Sequence, residues 1–397
     1  MGQAHGEPDQ ARYAVNQCVR ECHHVVKVMV KRPRSPSLTR PAGPLGAEAI
    51  TCTKKSLMEF WSLPQPRPKI AYHAAASSRT AQKGIPVVDL FCGCGGYSCG
   101  AALAGHHVAL AIDCDAVALA VHRANHPYAA HANIKLGLQT ESQVIELIRR
   151  HVPENGPWLL HGSPPCITFS NMRNITKGKA HDAGMELVTW YINLVKKLAP
   201  PYWSFEQVAM MPIKHYLRAQ GLAYHAFDFS LYGVPQTRTR CLAGTPDLIH
   251  ALRDNKSLRV AAPITPAMLL TPPPTATRIR ASGGKCIELF YRPLDVPTWC
   301  LLTACKPVYV NDAGACVRVM STRELLVLQT FPPRYRMPAQ VCCESDRVRL
   351  IGNAVPPLMS CLLLKPLHSS SSSVSSTSSS STSSSDSSSF SKRASGC

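Results

Sequence analysis

Between residues 85 and 208 the chain alternates short apolar runs with stretches of helical pattern. IPVVDLF (85–91) is apolar and ends in a glycine-rich turn, after which GYSCGAALAGH reads as a helix. HVALAID (107–113) is a second strand pattern, followed by helical AVALAVHRAN. WLLHG (158–162) and YWSFEQV (202–208) repeat the strand pattern, each ending where polar residues begin. Strands alternating with helices predict an α/β fold with a parallel sheet covered on both faces. Ligands of such sheets bind beyond the carboxyl ends of the strands, where the chemically interesting residues of this chain fall.

The rhythm breaks from about Asp247 to Pro297. AAPITPAMLLTPPPT (261–275) is rich in turn residues, and Arg278, Arg280 and Lys285 follow it. These positions predict a small, irregular second domain inserted into the first. The domains expected are a first catalytic part at 85–245, the insertion at 246–297 and the return to the catalytic domain at 298–366. The flanks differ from both. Residues 1–84 hold thirteen Lys or Arg against five Asp or Glu, and KRPRSPSLTRP (31–41) is unlikely to fold alone. The tail is expected at 367–397, and from Ser369 onward the chain is mostly serine, which buries too little apolar area to offset its ordering entropy.

Composition sharpens the class. With 45% hydrophobic residues in 397, the chain can bury a substantial core. A formal net charge of +19 attracts polyanions, and phosphate neutralisation dominates non-specific nucleic-acid binding. The seventeen cysteines are scattered, and the polar start MGQAHGEPDQ has no signal-like apolar segment, so reduced thiols in an intracellular protein are expected. No apolar run is long enough for a membrane span. Cys18, Cys22, His23 and His24 have no second ligand pair at a standard spacing, so no metal is expected.

Candidate chemistry gathers at four strand ends. Phe91, Gly93, Gly95 and Gly96 form the turn after the first strand, where glycine lets a ligand approach the backbone. The second strand ends in Asp113, an acid able to accept from both hydroxyls of a ribose. Asp115 reads instead as the start of the next helix. In Gly162-Ser163-Pro164-Pro165-Cys166 two prolines stiffen the chain and present a nucleophilic thiol. Glu206 ends another apolar strand, where a desolvated carboxyl can donate a proton. Alternation in Gln236-Thr237-Arg238-Thr239-Arg240 puts both arginines on one face. In STRELLVLQTFP (321–332), Ser321 and Glu324 form a capping box and Leu325 and Leu328 face inward, which predicts scaffold.

In this order, DLFCGCGG, GSPPC, FEQV, QTRTR, STRELLVLQTFP and IGNAVPP (351–357) closely resemble the cytosine carbon-5 DNA methyltransferase family. The resemblance covers roughly 85–245 and 290–366. It implies a Rossmann-like S-adenosylmethionine-dependent methyltransferase fold with a small inserted target-recognition domain. By the same resemblance S-adenosylmethionine is held by Phe91, the three glycines, Asp113, Asn133, Asn353 and Val355. Pro165 positions the base, Cys166 attacks its carbon 6, Glu206 bonds ring nitrogen 3 and Arg240 bonds the base oxygen. Arg238 steadies the loop or a phosphate. RPLDVPTWCLLTACK (292–306) is similar to the segment leading from the recognition domain back to the core. The implied substrate is double-stranded DNA, read by a monomer in the cell interior, or the nucleus in a eukaryotic or viral host.

The chain departs from the family pattern in several places. Gln207 replaces the usual asparagine, Ile167 replaces a glutamine, and Asn133 stands where an aspartate binds the adenine amino group. The recognition segment is short and Pro-rich, which argues against a long target sequence. Two other activities share these motifs, a tRNA cytosine methyltransferase and a weakly catalytic nucleic-acid-binding relative. The RNA subfamily's Cys-Phe-Thr tripeptide is missing, and Cys166, Glu206 and both arginines are retained, so DNA methylation ranks first.

Overall fold

The protein is described by a computed structural model at residues 84–165, 179–280, 291–303, 306–340 and 342–370. Cys166, Ile167, the cluster at Cys18–His24, Lys285 and the tails at 1–83 and 371–397 lie outside the described residues.

The first apolar run forms β1 (Pro86–Leu90), with the glycine turn leading into helix α1 (Gly96–Leu103). Then come β2 (His107–Asp113), α2 (Ala116–Asn125), β3 (Ala130–Asn133), α3 (Glu141–His151) and β4 (Leu159–Gly162). Helix α4 (Lys179–Leu198), β5 (Tyr202–Val208), α5 (Met211–Ala219) and β6 (Tyr224–Asp228) complete the alternation. β1 is apolar on consecutive positions because both faces of its sheet are covered. Val87 joins a core cluster with α1, whereas Val88 and Leu90 join a second with α3 and α4. In α3 the buried Val144, Ile145 and Ile148 make one helical face.

QTRTR divides into β7 (Gln236–Thr237) and β8 (Thr239–Gly244). The main sheet has seven strands in the order β3-β2-β1-β4-β5-β8-β6. All neighbouring strands from β3 to β5 run parallel, but β8 is antiparallel to both β5 and β6. That reversed strand departs from the all-parallel expectation, since alternating apolar patterns carry no strand direction. The chain moves outward from β1 to β3 and returns on the other side at β4. The β1/β4 seam is therefore the topological switch point, where open α/β sheets bind ligands.

After β8, α6 (Pro246–Asp254) packs Leu248, Ile249 and Leu252 into the core beside β6. A second, antiparallel sheet is built from β9 (Arg278–Arg280), β10 (Tyr291–Pro293), β12 (Val308–Val310) and β13 (Cys316–Val319) in the order β10-β9-β12-β13. Its strands thus lie on both sides of residue 297, where the sequence places the return to the first domain. Between them β11 (Thr298–Trp299) pairs with β7, stitching that return to the QTRTR segment. Helices α7 (Thr322–Leu328), α8 (Glu344–Asn353) and α9 (Pro357–Ser370) follow. Ser321 and Glu324 cap α7 reciprocally, and Leu325 and Leu328 are buried.

Helix α9 lies against α1 so closely that Ser360 fills the space at Gly100. Among the described residues no single helix is long and apolar enough to cross a membrane. Only α8 and α9 together reach that hydropathy, across a bend, and their apolar residues pack in the core.

Candidate active site

The turn after β1 is built under strain. Phe91 has φ 59, a left-handed conformation that a bulky side chain rarely takes, and Gly93 and Gly95 follow at φ 53 and 91. The strain is held by neighbours. Cys92 N–H donates to Ile112 O at 3.1 Å and Gly95 N–H to Cys92 O at 2.9 Å, while Ser163 Oγ donates to Phe91 O at 3.4 Å. The Phe91 ring meets Trp190 of α4 edge-on at 6.0 Å.

Asp113, at the end of β2, accepts from Gly93 N–H at 2.8 Å and Asp115 N–H at 2.9 Å, so it fastens the glycine turn. Burial raises its carboxyl pKa, against the lowering effect of these backbone bonds. Asp115 caps α2 through Val117 N–H and Ala118 N–H and pairs with Arg349 at 2.6 Å, the structural part expected of it. Asn133 is exposed at the end of β3, directly in register with Asp113. Gly96 touches the carbonyl of Val355, which brings the C-terminal motif onto the glycine turn; Asn353 next to it is exposed.

This edge fits an adenosyl cofactor. The space beside Gly93 is open where a side chain would project. Asp89 Oδ1, beneath the turn, is fully buried without a hydrogen-bond partner. Its other oxygen accepts from Ser98 Oγ at 2.6 Å, and burial pushes its pKa up to about 7.

On the other side of the seam, β4 leads into Ser163-Pro164-Pro165. Ser163 N–H donates to Leu90 O at 3.3 Å, and Pro165 is exposed. Gln207, the residue that departs from the family pattern, still reaches this turn. Its buried Nε2 donates to Pro164 O at 2.9 Å while Oε1 accepts from Val208 N–H at 2.8 Å. Glu206 is nine-tenths buried in β5, and Arg240 Nε of β8 lies 3.2 Å from its Oε1. Arg238 lies deeper. Its guanidinium donates to Gly352 O and Ala354 O, each at 3.2 Å, so it ties the strand to the turn bearing Asn353 and Val355.

Residues 85–247 match the family described as C-5 cytosine-specific DNA methylase. Type II methyltransferase M.HgiGI of Herpetosiphon aurantiacus is 30% identical over 124 residues, covering 31% of this chain and 90% of the relative. The chain belongs to the C-5 cytosine-specific DNA methylase family. Type II methyltransferase M.HindV of Haemophilus influenzae is 27% identical over 301 residues, 68% of this methylase-family chain and 91% of the relative. The fold is shared with a Spodoptera frugiperda DNMT2 mutant at TM-score 0.51 and 19% identity, covering 72% of this chain and 99% of that one. Entamoeba histolytica methyltransferase EhMeth aligns at TM-score 0.52 and 16% identity, covering 73% and 99%.

Beneath the strand ends of this methylase lies a buried polar layer that no motif announces. His161 stacks on Tyr97 at 3.4 Å, and its Nδ1 lies 2.9 Å from Ser204 Oγ, which also bonds Tyr97 O–H at 2.7 Å. Tyr191 O–H donates to Ser204 O at 2.8 Å, and its ring covers Gly162 so tightly that a Cβ there would overlap it. The glycine of GSPPC therefore seats α4 under the turn. Gly162→Ala is expected to destabilise the fold by about 1–3 kcal/mol through overpacking. Denaturant titration checks this, and an unchanged midpoint would show that Tyr191 swings aside freely. Sequence had no means of finding the layer, because Tyr97, His161 and Ser204 are 43 to 107 residues apart and meet with Tyr191 only once the helices pack on the paired strands.

Proposed function

We propose that this chain transfers a methyl group from S-adenosylmethionine to carbon 5 of a cytosine in DNA. Family membership supports cytosine methylation of DNA in general. The observation that carries the finer reading is the arrangement about the switch point: Gly93 and Asp113 on one side of the β1/β4 seam, Glu206 and Arg240 on the other.

Asp113 and Asn133 hold the ribose and adenine amino group, the latter through its side-chain carbonyl, while Phe91 packs the adenine. Gly95, Gly96, Asn353 and Val355 close the floor. When bound there, S-adenosylmethionine supplies a methyl group activated by its sulfonium. The target base leaves the duplex, costing a few kcal/mol of stacking and pairing, and enters beside Pro165. Cys166 adds to carbon 6, which makes carbon 5 electron-rich. Glu206 bonds ring nitrogen 3 and Arg240 the base oxygen, so the pair fixes the edge of the ring and supports the charge that develops on addition. A base then removes the carbon 5 proton and the thiol departs.

The small antiparallel sheet is the part we assign to target recognition, and it is short. Each bidentate base contact gives about 1–3 kcal/mol of discrimination, and several are needed for a rare site. Three of its arginines are already engaged: Arg278 with Asn311 O, Arg292 over the Trp299 ring at 3.7 Å, and Arg318 with Glu324. A target of two to four base pairs containing CG or GC follows. Labelled cofactor offered with duplex DNA or with tRNA tests the activity, and bisulfite sequencing of methylated plasmid tests the target. Label entering tRNA alone would overturn the reading of the substrate, and a defined site of six or more bases that of the target.

Asp113→Ala is expected to weaken S-adenosylmethionine binding by about 1.5–3 kcal/mol, the range for a charged hydrogen bond. Calorimetric titration checks it; unchanged affinity would move the ribose contact elsewhere.

A further inference from the structure

Arg238 and Arg240 converge on a residue to which the sequence motifs give no function, in the segment returning from the small sheet. Arg238 Nη1 donates to Cys300 Sγ at 3.3 Å, and Arg240 Nη2 lies 3.8 Å from the same sulfur. The backbone fixes that sulfur. Thr298 and Trp299 pair with β7 immediately before it, and Leu301 N–H just after it donates to the buried Gln236 Oε1 at 3.1 Å. Gln236 is itself held by Leu328 O and Gln329 Oε1. Cys300 is thus delivered to the site by the strand that returns from the small sheet.

We propose that Cys300 is a positioning residue for methyl transfer: its sulfur accepts from both guanidiniums, aims Arg240 at Glu206, and links that pair through Arg238 to the Gly352–Ala354 turn. The inference rests on the reading of Glu206 and Arg240 as the pair that holds the base. Its chemistry is that of a counter-ion. Two guanidiniums sit side by side here, and a thiolate between them offsets their repulsion in a partly desolvated place. Burial pushes the Cys300 thiol up, but the charges and hydrogen bonds of Arg238 and Arg240 outweigh it and leave the pKa below that of an ordinary thiol. A free arginine side chain samples many rotamers, and the sulfur at Nη2, together with the Thr239 carbonyl that accepts from Nη1 at 2.9 Å, restricts that freedom while Nε faces Glu206. The same link makes the base edge respond to the turn that carries Asn353 and Val355.

The test compares methyl transfer by the full-length wild type, Cys300→Ala, Cys300→Ser, Arg240→Lys, the double variant Arg240→Lys/Cys300→Ala, and Glu206→Gln. Cys300→Ala should lower kcat about tenfold and leave the cofactor KM within about twofold, while serine, which accepts both N–H groups but carries no charge, recovers only part of that loss. In the Arg240→Lys background, removal of Cys300 should add less than about twofold, because the effect runs through Arg240. Mass spectrometry of the Cys300 peptide after brief iodoacetamide treatment should show alkylation levelling off below the pH expected of a free thiol, about 8.5. Wild-type kcat in Cys300→Ala, or an equal loss in both backgrounds, overturns the inference, and alkylation still rising through pH 9 overturns its thiolate. Glu206→Gln separates the two readings. If that variant keeps wild-type kcat, the base-holding pair is refuted; if it is impaired and Cys300→Ala is not, only the assignment of Cys300 falls.

Discussion

Replacing Cys166 by serine is expected to lower methyl transfer by more than about a hundredfold, because a hydroxyl at neutral pH is a far weaker nucleophile than a thiol with even a small thiolate fraction. S-adenosylmethionine affinity should stay within about twofold, since the thiol acts on the base and the cofactor contacts proposed above lie across the seam. The chain leading to Cys166 is braced from two strands, by Leu90 O on Ser163 and by Gln207 on Pro164. A serine in its place therefore inherits the same approach, and the loss reports chemistry. Single-turnover rates with labelled cofactor check the first half and calorimetry the second. A serine variant keeping more than a few per cent of the wild-type rate would move the nucleophile elsewhere.

Acid should unfold this protein early. Burial holds His161 at about 3 and His126 at about 4, and pushes His122 well below its ordinary value. Neighbouring histidines add to the lowering at His126 and His122. Unfolding returns each ring to about 6.5. The unfolded state then binds more protons between those values, so stability present above pH 6.5 is lost as pH falls toward 4. At about 1.4 kcal/mol per pKa unit, His126 and His161 together carry on the order of 5–8 kcal/mol, comparable with the whole stability of a typical domain. Asp89 acts in the opposite sense. Its folded pKa of about 7 is above the unfolded one, so its contribution favours the fold at low pH and is lost as pH rises from 4 to 7. Melting temperatures between pH 7.5 and 4.5 should fall steeply below 6.5. His161→Gln should flatten the fall and Asp89→Asn should steepen it. A melting temperature that is level or rises on acidification over this range would contradict the histidine account.

Much of the edge that joins Gly93 to Asp113 was legible because its residues are local in sequence: a strand, its terminal glycines and the acid closing the next strand. β2, α2 and β5 fall where apolar alternation puts them, and the capping box starts α7 as Ser321 and Glu324 announce. What sequence could not convey was direction and distance. The antiparallel course of β8 alone brings Arg240 opposite Val208, beside Glu206, and period-two alternation is identical for either strand direction. Cys300 is hidden for a similar reason. Its neighbours in space are sixty residues away in sequence, and the pairing of β11 with β7 that delivers it involves two residues per strand. Alternation put both motif arginines on one face, yet Arg238 falls between β7 and β8 and donates to backbone carbonyls of the last motif.

The docking of α9 on α1 has a consequence for how the protein is made. The first helix is buried on every position, and its partners arrive last: Ser360 fills the space at Gly100, and Cys94 Sγ donates to Leu350 O across 256 residues of chain. At about 5–20 residues per second, a nascent chain holds this apolar helix without its cover for roughly ten to fifty seconds. The glycine turn cannot be finished earlier, because Val355 forms part of its floor. The proposed cofactor site is therefore incomplete until nearly the whole described chain has emerged, and a ribosome stalled before residue 355 is expected to leave behind a sticky, inactive fragment for chaperones or proteases.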